Sequence, residues 1–200
     1  MKYLMLPQAD RPRLLPFYFA VEEYVANTYT DDDYFFIWRV EPTVMLGRNQ
    51  LVESEVNTDY CRANGIHIFR RKSGCIYADM GCMQFSYISD AGNVEAAFPR
   101  YMETVAAMLR SVGVDAERSG RNDILVGGRK VAGSAYYRIG RRSVLHNSLL
   151  FDTTLDHLSQ ALNVPKEKLQ SKGVASVRQR VTNVGDHTRL TIDEFIAHAR

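Results

Sequence analysis

The chain carries only three cysteines in 200 residues, Cys61, Cys75 and Cys82, and no Cys-x-x-Cys pair. A sparse, odd set of that kind builds no disulfide framework, fits a reducing compartment and argues against a cysteine zinc site. No apolar run reaches the length of a membrane span. The N-terminus has neither a secretory apolar core nor a small-residue cleavage site. Together these features predict a cytoplasmic protein without a membrane partner. Repeats and low-complexity linkers are missing too, so nothing divides the chain. A strong charge of one sign is also lacking: the net charge is +2, which by itself calls for no nucleic acid.

What is present is an ordinary globular composition, 46% hydrophobic and 24% charged, long enough for one substantial core. Residues 1–200 are read as a single domain. Short β-like runs occur at Lys2–Leu6, Phe35–Val40, Thr43–Gly47, Ile66–Arg70, Cys75–Ala78, Met83–Ile88 and Ser143–Phe151. Helices are predicted from Pro16 to about Ala26, over Val52–Ala63, Leu155–Leu162 and from Ile192 to His198, with a further turn at Lys166–Gln170. Glu95–Val112 is the clearest helix, with apolar side chains at 3–4 spacing and Gly113 at its stop. Val174–Thr182 is too polar to assign. Strands grouped around few helices indicate an α+β fold.

The basic residues are unevenly placed. Arg118, Arg121, Arg129, Lys130, Arg138, Arg141 and Arg142 face a single acid, Asp123, within residues 118–142. A local positive field suits a phosphate-bearing ligand or an acidic partner, although a solvated basic rim has the same composition. Gly127-Gly128 separates two β-rich runs, a strong hairpin signal in which both residues need φ > 0. The second arm begins Arg129-Lys130 and continues into Gly133-Ser134-Ala135, small residues that let a ligand come close. Lys130 can thus set one charge against a bound anion, while Arg129 points to the other face.

Four stretches in order resemble the lipoate–protein ligase family: 42–50, Arg70-Arg71-Lys72-Ser73-Gly74, Arg129–Ala135, and Ser171–Asn183 with its Lys-Gly-x-x-Ser-Val-Arg pattern. The resemblance implies the catalytic fold shared by biotin and lipoate ligases, a mixed sheet with packed helices. It also implies a two-step reaction. ATP with Mg²⁺ activates lipoate to lipoyl-adenylate, and the acyl group passes to a lysine of a lipoyl carrier domain, of a 2-oxoacid dehydrogenase or of the glycine cleavage H protein. Lys130 is then the catalytic residue. Arg70, Ser73, Gly74, Cys75, Ile76 and Tyr77 belong to the substrate loop, and Arg70 faces the ligand. Asn122 and Asp123 lie near the adenylate and orient Lys130, above a floor of Gly133, Ser134 and Ala135. His146 matches one of the family's histidines. Lys172, Arg178 and Arg180 bind phosphate, face an acidic carrier, or are solvated. No metal ligand is assigned. The biotin ligase Gly-Arg-Gly-Arg-x-Gly loop does not occur in this sequence.

The chain departs from the family pattern at the substrate loop. Ser73-Gly74-Cys75-Ile76-Tyr77-Ala78-Asp79 is two glycines short, and Ala78 stands where histidine is usual. A two-residue loss keeps strand parity but removes residues able to take φ > 0. That leaves open a non-catalytic lipoate- or nucleotide-binding relative. Octanoyl transfer through an acyl-cysteine is a third reading, against which Cys75 and Cys82 read better as small buried residues. The resemblance further suggests that the family's C-terminal accessory domain is absent, so that adenylate formation would call for a separate partner domain.

Overall fold

The protein is described by a computed structural model over residues 1–7, 13–90, 94–120, 122–163 and 176–200, apart from the side chains of 94–96. In chain order these residues form β1 (Lys2–Tyr3), α1 (Leu15–Thr28), β2 (Tyr34–Trp38), β3 (Thr43–Gly47), α2 (Val52–Glu55) and α3 (Thr58–Ala63). Next come β4 (His67–Arg71), β5 (Ile76–Ala78), β6 (Cys82–Asp90), α4 (Val94–Ser111), β7 (Ala116–Ser119) and β8 (Asp123–Val126). The rest is β9 (Arg129–Ile139), β10 (Arg142–Leu150), α5 (Leu155–Ala161), the helical turn α6 (Val177–Arg180), a 3₁₀ turn (Val184–His187) and α7 (Ile192–Ala199).

Local chemistry explains most of the boundaries. Pro16 sits in the first turn of α1, where its missing N–H loses nothing. Gly113, at φ 82°, ends the last turn of α4, a conformation that favours glycine. Thr191 and Glu194 close a reciprocal capping box at the start of α7. The helix expected over Val52–Ala63 is in fact two. Asn57 accepts a hydrogen bond from the Tyr60 N–H and starts α3 as its N-cap, while Val56 pairs with Leu162. The Lys166–Gln170 turn falls outside the described residues.

The larger sheet runs β1-β2-β6-β10-β9-β8-β7, antiparallel except for β1 beside β2. A smaller sheet, β4-β3-β5, is mixed. β10 is the middle strand of the larger sheet and every one of its residues is buried. Strand alternation divides the apolar residues between two cores. One, containing Phe36, Ile88 and Val144, lies between the sheet, α1 and the smaller sheet. The other, containing Phe85, Leu145 and Leu149, lies with residues of α4 and α7, among them Leu109 and Phe195. The fold is α+β with mixed sheets, as the sequence predicts. Among the described residues, no helix is long and apolar enough to cross a membrane.

Candidate functional site

The first core face of the sheet carries two polar rows. Trp38, Gln84, Ser148, Gly133 and Asp123 are in register across β2, β6, β10, β9 and β8. Phe36, Ser86, His146 and Ala135 form the neighbouring row. Lys130 does not belong to this face by strand parity, since it is three residues from Gly133. A β-bulge brings it there: the pairing slips between Ile124 and Leu125, so that Lys130 stands opposite Leu125. The consecutive residues Val131 and Ala132 both bury in the opposite core, which returns Lys130 to the side of Gly133 and Asp123. Gly127 and Gly128 close the hairpin at φ 55° and 74°, both positive as that turn requires.

Lys130 Nζ lies 2.6 Å from Asp123 Oδ1, and an Arg180 guanidinium nitrogen lies 2.8 Å from the other oxygen, Oδ2. Burial pushes the Asp123 carboxyl up, but Lys130 and Arg180 outweigh it and hold the group below its ordinary value. The glycine beneath is essential to this arrangement: a Cβ at Gly133 would stand 2.7 Å from Nζ. α6 reaches the site because Ser176 caps it at the Gln179 N–H. The chain beyond it then runs beside β9, where the Thr182 N–H donates to the Lys130 carbonyl at 3.0 Å. These groups border a cleft of 460 Å³ that also takes in Asn122, Gly74 and Cys75.

A second cavity, of 650 Å³, opens among Phe19, Phe69, Arg71, Tyr137 and His146. Behind two of its lining residues, Tyr137 and His146, is Glu22 of α1, fully buried. Ser86 Oγ and the Tyr137 hydroxyl donate to its two oxygens at 2.6 and 2.7 Å. His146 Nδ1 lies 3.6 Å from Glu22 Oε1. Burial favours the uncharged carboxyl, but His146 and the two hydroxyls outweigh it and keep Glu22 below its ordinary value. Burial also lowers His146, against the pull of Glu22. Ser73 Oγ and His146 Nε2 are 2.9 Å apart. The Arg71–Cys75 turn thus lies between the two cavities, contributing Arg71 and Lys72 to one and Gly74 and Cys75 to the other.

The structure redistributes several of the residues expected at the site. The Arg70 guanidinium donates to the carbonyls of Gly47, Arg48 and Gln50, at 2.7, 3.2 and 2.8 Å, and so ties the end of β4 to the 47–50 turn at the cavity rim. Arg71 is the inward member of the pair: burial brings it down to about 10 despite Glu22. Its Nε donates to the Gly74 carbonyl, and Gly74 is not among the glycines of positive φ. Ser134 turns away, because strand alternation sends it to the face opposite Gly133 and Ala135. It is buried there and accepts from Asn147 Nδ2 at 2.6 Å. Tyr77 is wholly buried, with its hydroxyl on Asp79, and Ile76 is half-buried at the edge of the first cleft. Asn122 holds the Ser134 carbonyl at 3.0 Å, and Asp123 is the residue that touches Lys130.

Cys82 is buried, and burial pushes its thiol well up, away from thiolate chemistry. Cys75 is half-exposed on the first cleft rather than buried. Arg178 is exposed near Asp156, and Lys172 lies outside the described residues. Sequence reasoning missed Glu22, Tyr137 and Ser86. A glutamate at a core position of α1 was the available signal, since a carboxylate is almost never fully buried without partners.

In sequence and in fold the chain is similar to known proteins. The lipoyl protein ligase A/B catalytic domain family matches residues 16–199. A lipoate-protein ligase of Bacillus subtilis is 40% identical over 185 residues, 90% of this chain and 56% of that protein. A lipoate–protein ligase of Staphylococcus aureus is 39% identical over 182 residues, 88% of this chain and 56% of that protein. The chain therefore spans just over half the length of these curated relatives. Among solved structures, a bipartite lipoate protein ligase of Thermoplasma acidophilum, described with its E2 lipoyl domain, superposes with a TM-score of 0.85 at 31% identity, over 98% of this chain and 79% of that one. A lipoate-protein ligase A bound with ATP gives a TM-score of 0.85 at 28% identity, over 98% of this chain and 81% of that one. By the match along residues 16–199, the chain belongs to the lipoyl protein ligase A/B catalytic-domain family.

Proposed function

We propose that this chain performs the acyl-transfer chemistry of an ATP-dependent lipoate–protein ligase, passing a lipoyl group from lipoyl-adenylate to a lysine of a lipoyl carrier domain. The observation that carries this reading is the ammonium of Lys130, held against Asp123 over the bare backbone of Gly133 at the edge of an open cleft. The relatives named as lipoate ligases support it, as does a structure of that class bound with ATP.

Lipoyl-adenylate is a mixed carboxylic–phosphoric anhydride. The carrier amine attacks the acyl carbon, the bond to the phosphate oxygen breaks, and AMP leaves. The enzyme needs no nucleophile of its own. Its task is to hold the anhydride and stabilise negative charge on the carbonyl and phosphate oxygens. Lys130 meets Asp123 through its ammonium, a compact charge able to donate to those oxygens. Asp123 sets its negative charge against the ammonium, and Gly133 leaves it room. The aromatic-walled cavity at His146 suits the acyl chain, and Arg71 stands at the junction of the two cavities. Among the described residues no cluster of three or more His, Cys, Asp or Glu could hold a metal ion. Mg²⁺ would accordingly travel on the ATP phosphates, and no step is assigned to it. Lipoyl domains of 2-oxoacid dehydrogenases and the glycine cleavage H protein are the acceptor class.

The test is transfer from synthetic lipoyl-adenylate to a lipoyl carrier domain. Lys130→Ala should lower the rate roughly 10²–10³-fold with the fold intact. Lys130→Arg should fail as well, because a planar fork cannot replace a compact ammonium in a fitted slot. Near wild-type transfer by Lys130→Ala would overturn the assignment. Carrier modification from supplied lipoyl-adenylate also separates a transfer enzyme from a binding relative, which would show none.

A further inference from the structure

We infer that Arg180 is a positioning residue for Lys130, acting through the Asp123 carboxylate. The inference rests on the reading of Lys130 as the transfer lysine. Its basis is a shared counterion. Asp123 offers two oxygens, and each is taken by a different cation, Oδ1 by Lys130 at 2.6 Å and Oδ2 by Arg180 at 2.8 Å. All three side chains are largely shielded, with exposures of 14% for Asp123, 21% for Lys130 and 20% for Arg180. Such partly desolvated charges interact far more strongly than exposed ones.

Two consequences follow. A carboxylate held at one oxygen by a guanidinium cannot turn about its own axis, so Oδ1 stays aimed at Lys130 and the ammonium keeps one direction. Second, Oδ2 already carries the guanidinium, so Lys130 is steered to Oδ1 alone. The backbone reinforces the arrangement. Arg180 ends α6, and two residues later Thr182 holds the Lys130 carbonyl, while Val181 bridges Lys130 in parallel. One short segment therefore fixes the main chain of Lys130 and its counterion together.

Among the described residues, the charged and titratable groups that share the cleft with Lys130 are Asp123 of β8, Arg180 of α6, Glu55 of α2 and Cys75 from the β4–β5 turn. Of these, only Arg180 is a cation. Its removal frees a carboxylate oxygen for Lys130 and takes away a like charge. Both effects favour the ammonium form of Lys130.

The experiment follows labelling of Lys130 by an amine-reactive reagent as a function of pH, read by peptide mass spectrometry on the folded protein. Only the uncharged amine reacts. Arg180→Gln should move the half-labelling pH of Lys130 upward by on the order of one unit. Arg180→Lys, which keeps the charge, should return it to within a few tenths of wild type. Arg180→Met keeps the packing of the stem and serves as the second neutral variant should Arg180→Gln fail to fold. An unmoved half-labelling pH in a folded neutral variant overturns the proposal. So does a raised KM for lipoyl-adenylate with an unmoved labelling profile, which would make Arg180 a phosphate contact. A profile that moves as expected in a protein unable to transfer from lipoyl-adenylate would leave the positioning intact and reject the transfer reading instead.

Discussion

Gly133 lies directly beneath the ammonium of Lys130, with the position of a would-be Cβ 2.7 Å from Nζ and 3.0 Å from Cε. A methyl group there meets the far end of a flexible side chain rather than backbone. Gly133→Ala should therefore fold normally and displace the amine by a fraction of its length. Misplacement on the scale of 1 Å can lower a rate by about 10²-fold. Transfer from lipoyl-adenylate should fall by that order, with a melting temperature close to wild type. Full activity in Gly133→Ala would show that the lysine does not work from the position seen.

The buried pair Glu22 and His146 predicts an acid-sensitive fold. His146 is depressed below its ordinary 6.5 chiefly by burial, so the folded state binds its proton less readily than the unfolded state. The stability linked to neutral His146 is then full above pH 6.5 and lost as pH falls below it. Glu22 and Asp123 lie below their ordinary 4.5 and 3.8, so their contributions decline only at lower pH, on approach to those depressed values. Urea melts should show stability dropping between about pH 7 and 5, and His146→Gln should flatten that limb. An unchanged slope in His146→Gln would assign the loss to other groups.

Removing the Glu22 carboxylate leaves two buried hydroxyl donors, those of Ser86 and Tyr137, without their acceptor. Glu22→Leu should destabilise by roughly 2–5 kcal/mol, measured by denaturant unfolding. Glu22→Gln retains one acceptor oxygen and should lose less. A smaller loss for leucine than for glutamine would mean that the buried charge is a net burden on the fold.

A non-hydrolysable lipoyl-adenylate analogue should raise the melting temperature more than lipoate alone, because it also engages Lys130 and the polar cleft. At a hundredfold excess over Kd, binding to the folded state adds about 2.7 kcal/mol. Lys130→Ala should lose much of the difference between the two ligands. Equal shifts from lipoate and from the analogue would place the phosphate away from Lys130.

What the sequence determined by itself was local chemistry. Gly127-Gly128 announced a turn because only residues tolerant of positive φ close it, and both take that conformation. The amphipathic spacing of α4 and the order of four motifs identified the fold class and the family, and they singled out Lys130. Other features were decided only by tertiary structure. Parity alone places Lys130 and Gly133 on opposite faces, and the bulge that unites them depends on how β8 pairs with β9. Arg180 reaches Asp123 across 57 positions, a separation at which no local pattern can match a cation to its anion. Which arginine of Arg70-Arg71 turns inward depended on the carbonyls that the 47–50 turn presents to Arg70. Glu22 is charged in the core because strands remote from it bring Ser86, Tyr137 and His146 to its oxygens. Propensity and periodicity are carried by neighbours along the chain, whereas the charge, direction and exposure of a side chain are set by whatever the folded chain brings beside it.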